Sequence, residues 1–388
     1  MNVKRILIIS PFFFPEPIST GKFNTDIAKA LRDEGHEITV LCSHPLYPKW
    51  VPEKNNEQIS GIKIIRGGGG VRYPKKTIIR RVVLELWFSY YILKNIFKYR
   101  KSIDIVIPIF PPSFAFYIIL PFINKKTETV GMVHDLQEVY SKGRKGIINK
   151  VVRFFINKIE GATFRGCDKL IFLSEEMKNI AQYFYKLDTT KAFVQYPFVT
   201  IEKDNVTDDL EDILPLDKTH IVYSGALGEK QNPKGLYDFF QYASQNTTNT
   251  YFHFFSQGLI FEELKSINKN TFIRFHDLVP RKNIEELYIR SSIQIIPQQS
   301  GTSKGSLPSK LPNLLASGCK ILFITDKGSE IHELFKKHNL EKVVTSWANE
   351  ELMNGVFGLL EKNNEIDNNQ IRVAEEFFSI NSMVKKIV

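Results

Sequence analysis

His134 and Asp135 directly follow a run of strand character, Thr129 to Val133, so both emerge at a strand's carboxyl end. Open α/β sheets present their ligand-binding groups there. A neutral imidazole in that position can hydrogen-bond a hydroxyl, and Asp135 can orient the ring or accept from an incoming hydroxyl. The first half otherwise offers His36, in a helix-ending Gly-His-Glu turn, and His44. A second group, Tyr223-Ser224-Gly225-Ala226-Leu227-Gly228-Glu229-Lys230, also follows a strand and supplies two glycines and a cation ahead of a helix near Leu236. Its backbone N–H groups, with Lys230 or Lys234, can hold a diphosphate. A third begins after Pro297, where the polar loop Gln298 to Ser306 leads into Leu307-Pro308-Ser309-Lys310-Leu311 and a helix running to Gly318. Ser306, Ser309 and Lys310 at a helix start make a second anion site in the same half. Each group alone also fits an ordinary turn with solvated lysines.

The elements that must position these groups alternate. Arg5 to Ser10 is the first strand, and Phe23, Ile27 and Leu31 give the following helix one buried face. Gly35 stops that helix; Glu37 to Cys42 and Ile62 to Arg66 are the next strands, and Gly67 to Gly70 is a flexible loop. The turn from Ser10 to Gly21 lacks the GxGxxG fingerprint, which disfavours a nicotinamide enzyme, while Gly21 lets backbone approach an anion at the helix mouth. Further strands start near Ile103, Thr129 and Lys169. The acidic stretch Glu202 to Lys218 resembles a link, after which strands recur at Ile221, Tyr251, Thr271, Ile293 and Lys320, and a last helix lies around Arg372 to Phe378. The expectation is α/β: two Rossmann-like, doubly wound parallel-sheet domains, 1–200 and 201–370, facing a central cleft, with a C-terminal helix, 371–388, packing back toward the first.

A chain of 388 residues with 43% hydrophobic and 24% charged side chains fits two globular domains and excludes disorder and multi-span membrane proteins. Lys4-Arg5 and Ile6 to Ile9 imitate a signal peptide, but Pro11, Pro15 and Glu16 interrupt it, so a buried strand is expected. The apolar run Ile105 to Ile123 contains Pro108, Pro111, Pro112 and Pro121, which suit a strand ending near Ile107, a turn and a short helix from Ser113 better than a membrane span. Cys42, Cys167 and Cys319 stand far apart, without disulfide or zinc spacing, and point to a reducing, cytoplasmic compartment. The charge is uneven: residues 1–200 carry 31 basic and 17 acidic side chains, residues 201–388 carry 21 and 25. The first half therefore seeks an anionic partner.

One ordered set of residues carries a resemblance: Phe14-Pro15-Glu16 with Gly21, Gly35 to Leu41, Val133-His134-Asp135, Tyr223-Ser224-Gly225 with Glu229-Lys230, and Pro308-Ser309-Lys310-Leu311 through Gly318. Together these resemble the family 4 retaining glycosyltransferases of GT-B fold that make bacterial O-antigen, capsule and exopolysaccharide, over roughly residues 4 to 335. The resemblance implies a nucleotide-sugar donor, commonly a UDP-sugar, held by the second domain. It implies a saccharide acceptor held by the first, with Glu16 on the acceptor side, retention of configuration, and no metal or cofactor. It implies that Lys230 or Lys234 and the Ser306 to Lys310 helix start, with Leu307 and Pro308, neutralise the diphosphate; that Gly21 and Gly225 allow close approach; and that His134 contacts the donor sugar. Two family glutamates fall here at Gly305 and Asn313; Asn313 can still bond a ribose hydroxyl, and Gly305 leaves sugar recognition to other groups. The arginine that often precedes the diphosphate lysine is replaced near Ala226 or Leu227.

Lys75 to Lys101 reads as one long helix whose face Ile79, Val83, Leu86, Tyr90, Leu93 and Phe97 is expected to be core. A neighbouring stripe, Lys76, Arg80, Lys94, Lys98 and Lys101 with Leu84, Trp87 and Tyr91, is expected to meet an anionic membrane surface, helped by Lys142 to Lys158. A sugar-transfer site beside a membrane suits a polyprenyl-diphosphate-linked acceptor on the inner face of the cytoplasmic membrane. The alternatives are a nucleotide-sugar epimerase of similar shape and a nucleic-acid-binding protein using the basic half, the latter without any recognition motif.

Overall fold

The computed structural model describes residues 3–16, 18–47, 49–136, 147–201, 208–303, 307–340, 343–361 and 367–388. The chain divides into two compact units, Met1–Tyr196 with Ile380–Val388, and Pro197–Ser379.

The first unit is built on β1 (Arg5–Ile9), α1 (Ser19–Asp33), β2 (Glu37–Ser43), β3 (Ile62–Gly67), α2 (Thr77–Tyr99), β4 (Ile105–Phe110) and α3 (Ser113–Ile119). It continues with β5 (Glu128–Val133), α4 (Ile147–Arg165), β6 (Lys169–Phe172), α5 (Glu175–Tyr185) and β7 (Ala192–Val194). The seven strands form one parallel sheet in the order β3-β2-β1-β4-β5-β6-β7. Helices cover both faces of such a sheet, so its strands read as unbroken apolar runs; all six residues of β4 are buried. β4 does not stop at Ile107 as its proline suggested. It runs through Pro108 to Phe110, and its pairing with β5 skips Ile107 and Pro108, where a ladder donor is missing.

The second unit holds β8 (Thr219–Ser224), α6 (Pro233–Gln245), β9 (Thr250–Phe255), α7 (Leu259–Ile267), β10 (Ile273–His276), α8 (Ile284–Arg290) and β11 (Ile293–Pro297). After these come α9 (Leu311–Ser317), β12 (Ile321–Ile324), α10 (Glu330–Lys337), β13 (Val343–Val344), α11 (Asn349–Leu360) and α12 (Asn368–Phe377). Its parallel sheet runs β10-β9-β8-β11-β12-β13. Of the stretch read as a link, residues 202–207 lie outside the described residues, and the rest is packed. Leu210 and Leu214 are buried, and the buried Glu286 carboxylate accepts from Leu210 N at 2.9 Å while pairing with Arg290 at 2.9 Å.

The chain ends in two helices where one was expected, α12 and then α13 (Ile380–Ile387), which belongs to the first unit. α13 packs on α1; Lys386 Nζ donates to Gln195 Oε1 at 2.5 Å, and Lys4 Nζ donates to the Val388 carbonyl at 2.8 Å.

α2 is turned over relative to expectation. Leu84, Phe88, Ile92 and Ile96 are buried, whereas Ile79, Leu86, Tyr90 and Phe97 of the face read as core are exposed, Tyr90 at 69% and Leu86 at 57%. The helix is apolar on two faces, so periodicity cannot choose between them. Gly67 and Gly68 do: a Cβ at either would meet the ring of Tyr91 or Trp87 at 2.6 Å. The two aromatics lie on glycine backbone, with Tyr91 Oη donating to the Ile65 carbonyl at 2.7 Å and Trp87 Nε1 to Tyr73 Oη at 2.5 Å. Trp87 is therefore not a membrane-facing residue. Nor is Arg80, whose guanidinium sits 4.2 Å from the Trp50 ring. Lys76, Lys94 and Lys98 remain exposed. In the second basic stretch, residues 142–146 lie outside the described residues; Phe154 and Lys158 are exposed. No helix among the described residues is long and apolar enough to cross a membrane.

Candidate active site

In each sheet the strand order reverses next to its first strand, between β1 and β4 in one and between β8 and β11 in the other. Carboxyl-end loops at such a point are where doubly wound sheets bind ligands.

In the first unit the loop after β1 is tied to its surroundings. Asn24 Nδ2 donates to Ser10 Oγ and the Phe12 carbonyl, Phe14 N donates to Thr25 Oγ1, and Arg66 Nη2 donates to the Phe14 carbonyl at 2.8 Å. Glu16 is buried, and its two carboxylate oxygens accept from Leu46 N at 3.0 Å and Tyr47 N at 2.7 Å. Burial raises its pKa against the pull of those two N–H groups. Glu16 thus clamps the loop after β2 onto the loop after β1. Gly21 is the third residue of α1, and a Cβ there would lie 2.8 Å from Glu16 Cβ, so its smallness serves this clamp.

His134 follows β5, its ring set edge-on to Phe23 of α1 with centroids 4.8 Å apart. Burial lowers the imidazole to about 4, leaving it neutral near pH 7. Its Nε2 is buried and has no hydrogen-bond partner among the described residues. Such an atom costs stability unless something else fills it. Asp135 Oδ1 accepts from Leu136 N at 2.9 Å, which fixes the carboxylate beside the turn.

In the second unit, three loops are knit at the reversal point. Gln299 N donates to the Lys230 carbonyl at 2.7 Å, and Asp326, beyond β12, accepts from Gly301 N at 2.9 Å and Ser303 Oγ at 2.6 Å. Gly225 has φ +124°, a backbone that L side chains rarely adopt, and its N–H bonds the Phe255 carbonyl at 2.9 Å. Asn232, in the left-handed region, caps α6 through Gly235 N, with Pro233 at the first helical position. Lys230 and Lys234 are both exposed and stand on either side of this cap.

Lys310 is placed differently from expectation. Its Nζ donates to the carbonyls of Ser224 at 3.1 Å and Ile295 at 2.8 Å and lies 4.4 Å from the centre of the Tyr223 ring, so it bolts β8 to β11 beneath the loops. Burial lowers it to about 7. Asn313 is also engaged: Oδ1 accepts from Thr200 N at 2.7 Å and Ile201 N at 3.2 Å, and Nδ2 donates to Thr200 Oγ1. The structure gives that amide to the start of the second unit. Leu307 and Pro308 are half-buried ahead of α9, and Ser306 lies outside the described residues.

Sequence reading missed a row of three histidines on neighbouring strands. His220 Nδ1 meets His253 Nε2 at 3.0 Å, and His253 Nδ1 meets His276 Nε2 at 3.0 Å. The available signal was that three of eight histidines fall in successive strands of one unit.

Residues 20–203 match the family described as Glycosyltransferase Family 4. WcaI of Escherichia coli (strain K12), assigned to colanic acid biosynthesis as a glycosyl transferase, is 22% identical over 361 residues, 85% of each chain. Sucrose-phosphate synthase of Thermosynechococcus elongatus shares the fold with a TM-score of 0.73 at 11% identity, over 99% of this chain and 97% of that one. WaaG, a glycosyltransferase involved in lipopolysaccharide biosynthesis, does so with a TM-score of 0.68 at 12% identity, over 99% of each chain. The expected GT-B class holds, and these findings make the chain a glycosyltransferase of GT-B fold, related through residues 20–203 to family 4.

Proposed function

We propose that this glycosyltransferase moves a sugar from a nucleotide-sugar donor, a UDP-sugar, onto a saccharide linked to a polyprenyl diphosphate, with retention of configuration. The observation that carries the reading is the neutral imidazole of His134 at the carboxyl end of β5, whose buried Nε2 has no partner among the described residues. A sugar hydroxyl is a ligand that can complete it. Breaking the sugar–phosphate bond develops negative charge on the leaving diphosphate, and the positive end of the α6 dipole with Lys230 or Lys234 supplies fixed positive charge without a metal ion. The acceptor hydroxyl attacks from the face that the diphosphate leaves, with a donor phosphate oxygen taking its proton.

The lipid half of the proposal is supported by the outer face of α2. Ile79, Val82, Leu86, Tyr90 and Phe97 are exposed there, and the Phe97 ring touches that of Phe122, also exposed, at 5.1 Å. At ~100° per residue Lys94 falls ~80° from Leu86, and Lys75 and Lys76 just before the helix and Lys101 just after it are exposed as well. An apolar stripe rimmed by lysines matches an anionic bilayer surface, each cation contributing about 1 kcal/mol of attraction. The enzyme would then work as a peripheral protein on the cytoplasmic leaflet.

A panel of nucleotide sugars offered with bacterial lipid extract tests the reaction: nucleoside diphosphate should appear only when donor and lipid acceptor are both present. Interconversion of two nucleotide sugars without acceptor would establish an epimerase instead. Leu86→Glu with Tyr90→Glu should abolish sedimentation with anionic vesicles while leaving nucleotide binding intact. Equal sedimentation by wild type and variant would remove the docking face.

A further inference from the structure

The histidine row in the second unit has a fixed proton arrangement. His220 Nε2 lies 2.9 Å from the Pro215 carbonyl, which can only accept, so that nitrogen carries the proton. Nδ1 of a neutral His220 is then bare, and His253 Nε2 must donate to it. By the same step Nδ1 of His253 is bare, and His276 Nε2 must donate to it. Five of the six ring nitrogens are engaged. Nδ1 of His276 remains, a bare acceptor with no partner among the described residues, on a half-buried ring. Each ring in the chain donates at one nitrogen, which makes the other a better acceptor, so the polarity of the row accumulates at His276 Nδ1.

His276 is the last residue of β10, and its carbonyl accepts from Ser256 N just beyond β9. Its ring stacks on Phe255 with centroids 4.5 Å apart and planes at 22°, which holds its orientation. The Ser256 hydroxyl beside it is buried and also lacks a partner among the described residues. β10 stands two strands from β8 in the sheet, about 10 Å along the carboxyl edge from the glycine turn and lysines of the diphosphate loop. That is comparable to the reach of a nucleoside diphosphate from its phosphates to its base.

We propose that His276 Nδ1 is the specificity-determining acceptor for a ring N–H of the donor's base. The inference rests on the nucleotide-sugar reading and deepens it. Uracil and guanine present a ring N–H on their pairing edge; cytosine and adenine present a bare nitrogen there, which would face the bare Nδ1 and leave both lone pairs unsatisfied. The row therefore selects the uracil or guanine class through a proton arrangement that begins at the Pro215 carbonyl, three hydrogen bonds away.

The test is titration calorimetry of UDP, GDP, CDP and ADP against wild type, His276→Gln and His276→Asn. The Gln amide can reach the Nε2 position and keep the donor to His253, whereas the Asn carbonyl can take the Nδ1 position and keep the acceptor. Wild type should bind UDP or GDP at least ~10-fold more tightly than CDP and ADP, about one hydrogen bond's worth. His276→Gln should lose that preference, and His276→Asn should retain it within ~3-fold. A preference for UDP assigns uracil, and one for GDP assigns guanine. As a readout independent of any variant's folding, the ¹⁵N resonance of His276 Nδ1 in wild type should move on adding the preferred diphosphate and not on adding CDP. Equal affinity of wild type for all four, an unchanged preference in His276→Gln, or a stationary resonance overturns the inference. Failure of wild type to bind any of them overturns the nucleotide-sugar reading and this inference with it.

Discussion

Replacing His134 by Phe separates a functional from a structural role for that residue. The imidazole has a buried Nε2 without a partner among the described residues, and burying such a group costs roughly 1–3 kcal/mol. Phe keeps a ring against Phe23, whose edge-on contact is 4.8 Å between centroids, and removes the unsatisfied atom. The first unit should therefore be as stable as wild type at pH 7.5, or more stable. The pKa is held at about 4 by burial, below the ordinary 6.5. Above 6.5 the ring is neutral in both folded and unfolded chains. As pH falls the unfolded chain takes the proton first, so native stability is lost progressively down to about pH 4. At pH 5 that loss is about 2 kcal/mol, and His134→Phe abolishes it, so the variant's advantage grows by that amount between pH 7.5 and pH 5. Turnover should fall ~100- to 1000-fold, the usual consequence of removing one hydrogen bond made to the reacting sugar. Urea denaturation at both pH values and nucleoside diphosphate release measure the two effects. Near-wild-type turnover, or a stability loss beyond 2 kcal/mol at pH 7.5, would refute the reasoning.

Lys310→Met keeps the aliphatic stem but leaves the Ser224 and Ile295 carbonyls without their donor, and should lower stability of the second unit by about 2–4 kcal/mol in chemical denaturation. A loss of nucleotide affinity with unchanged stability would instead place Lys310 on the ligand. Asn313→Ala should cost about 1–3 kcal/mol by releasing Thr200 and Ile201, with KM for the donor within twofold; a large KM rise alone would return the residue to the ribose. The histidine row should make the second unit acid-sensitive. Burial lowers all three pKa values, with Arg274 adding to the lowering at each and Asp277 opposing it at His276 and Asp217 at His220, so stability is full above about pH 6.5 and falls below it. Hydrogen exchange of β8 to β10 should accelerate between pH 6.5 and 4 in wild type and less so in His253→Phe.

The sequence determined the doubly wound architecture, because strands buried on both faces must be continuous apolar runs and the helices between them must carry one apolar stripe. It also determined where the candidate loops fall, since glycine at Gly225 and a histidine after Val133 sit where strand signals stop. It could not determine which way α2 faces, because both faces satisfy the apolar period and the choice rests on Trp87 and Tyr91 finding the bare backbone of Gly67 and Gly68. Nor could it separate lysines that reach solvent from one that bolts two strands together. Lys230, Lys234 and Lys310 look alike as a cation beside a turn, and only the sheet brings the carbonyls of Ser224 and Ile295 to Lys310. The histidine row shows the same limit. Its members lie 33 and 23 residues apart in sequence, and a hydrogen bond between them exists only through the lateral register of parallel strands, which no local pattern encodes.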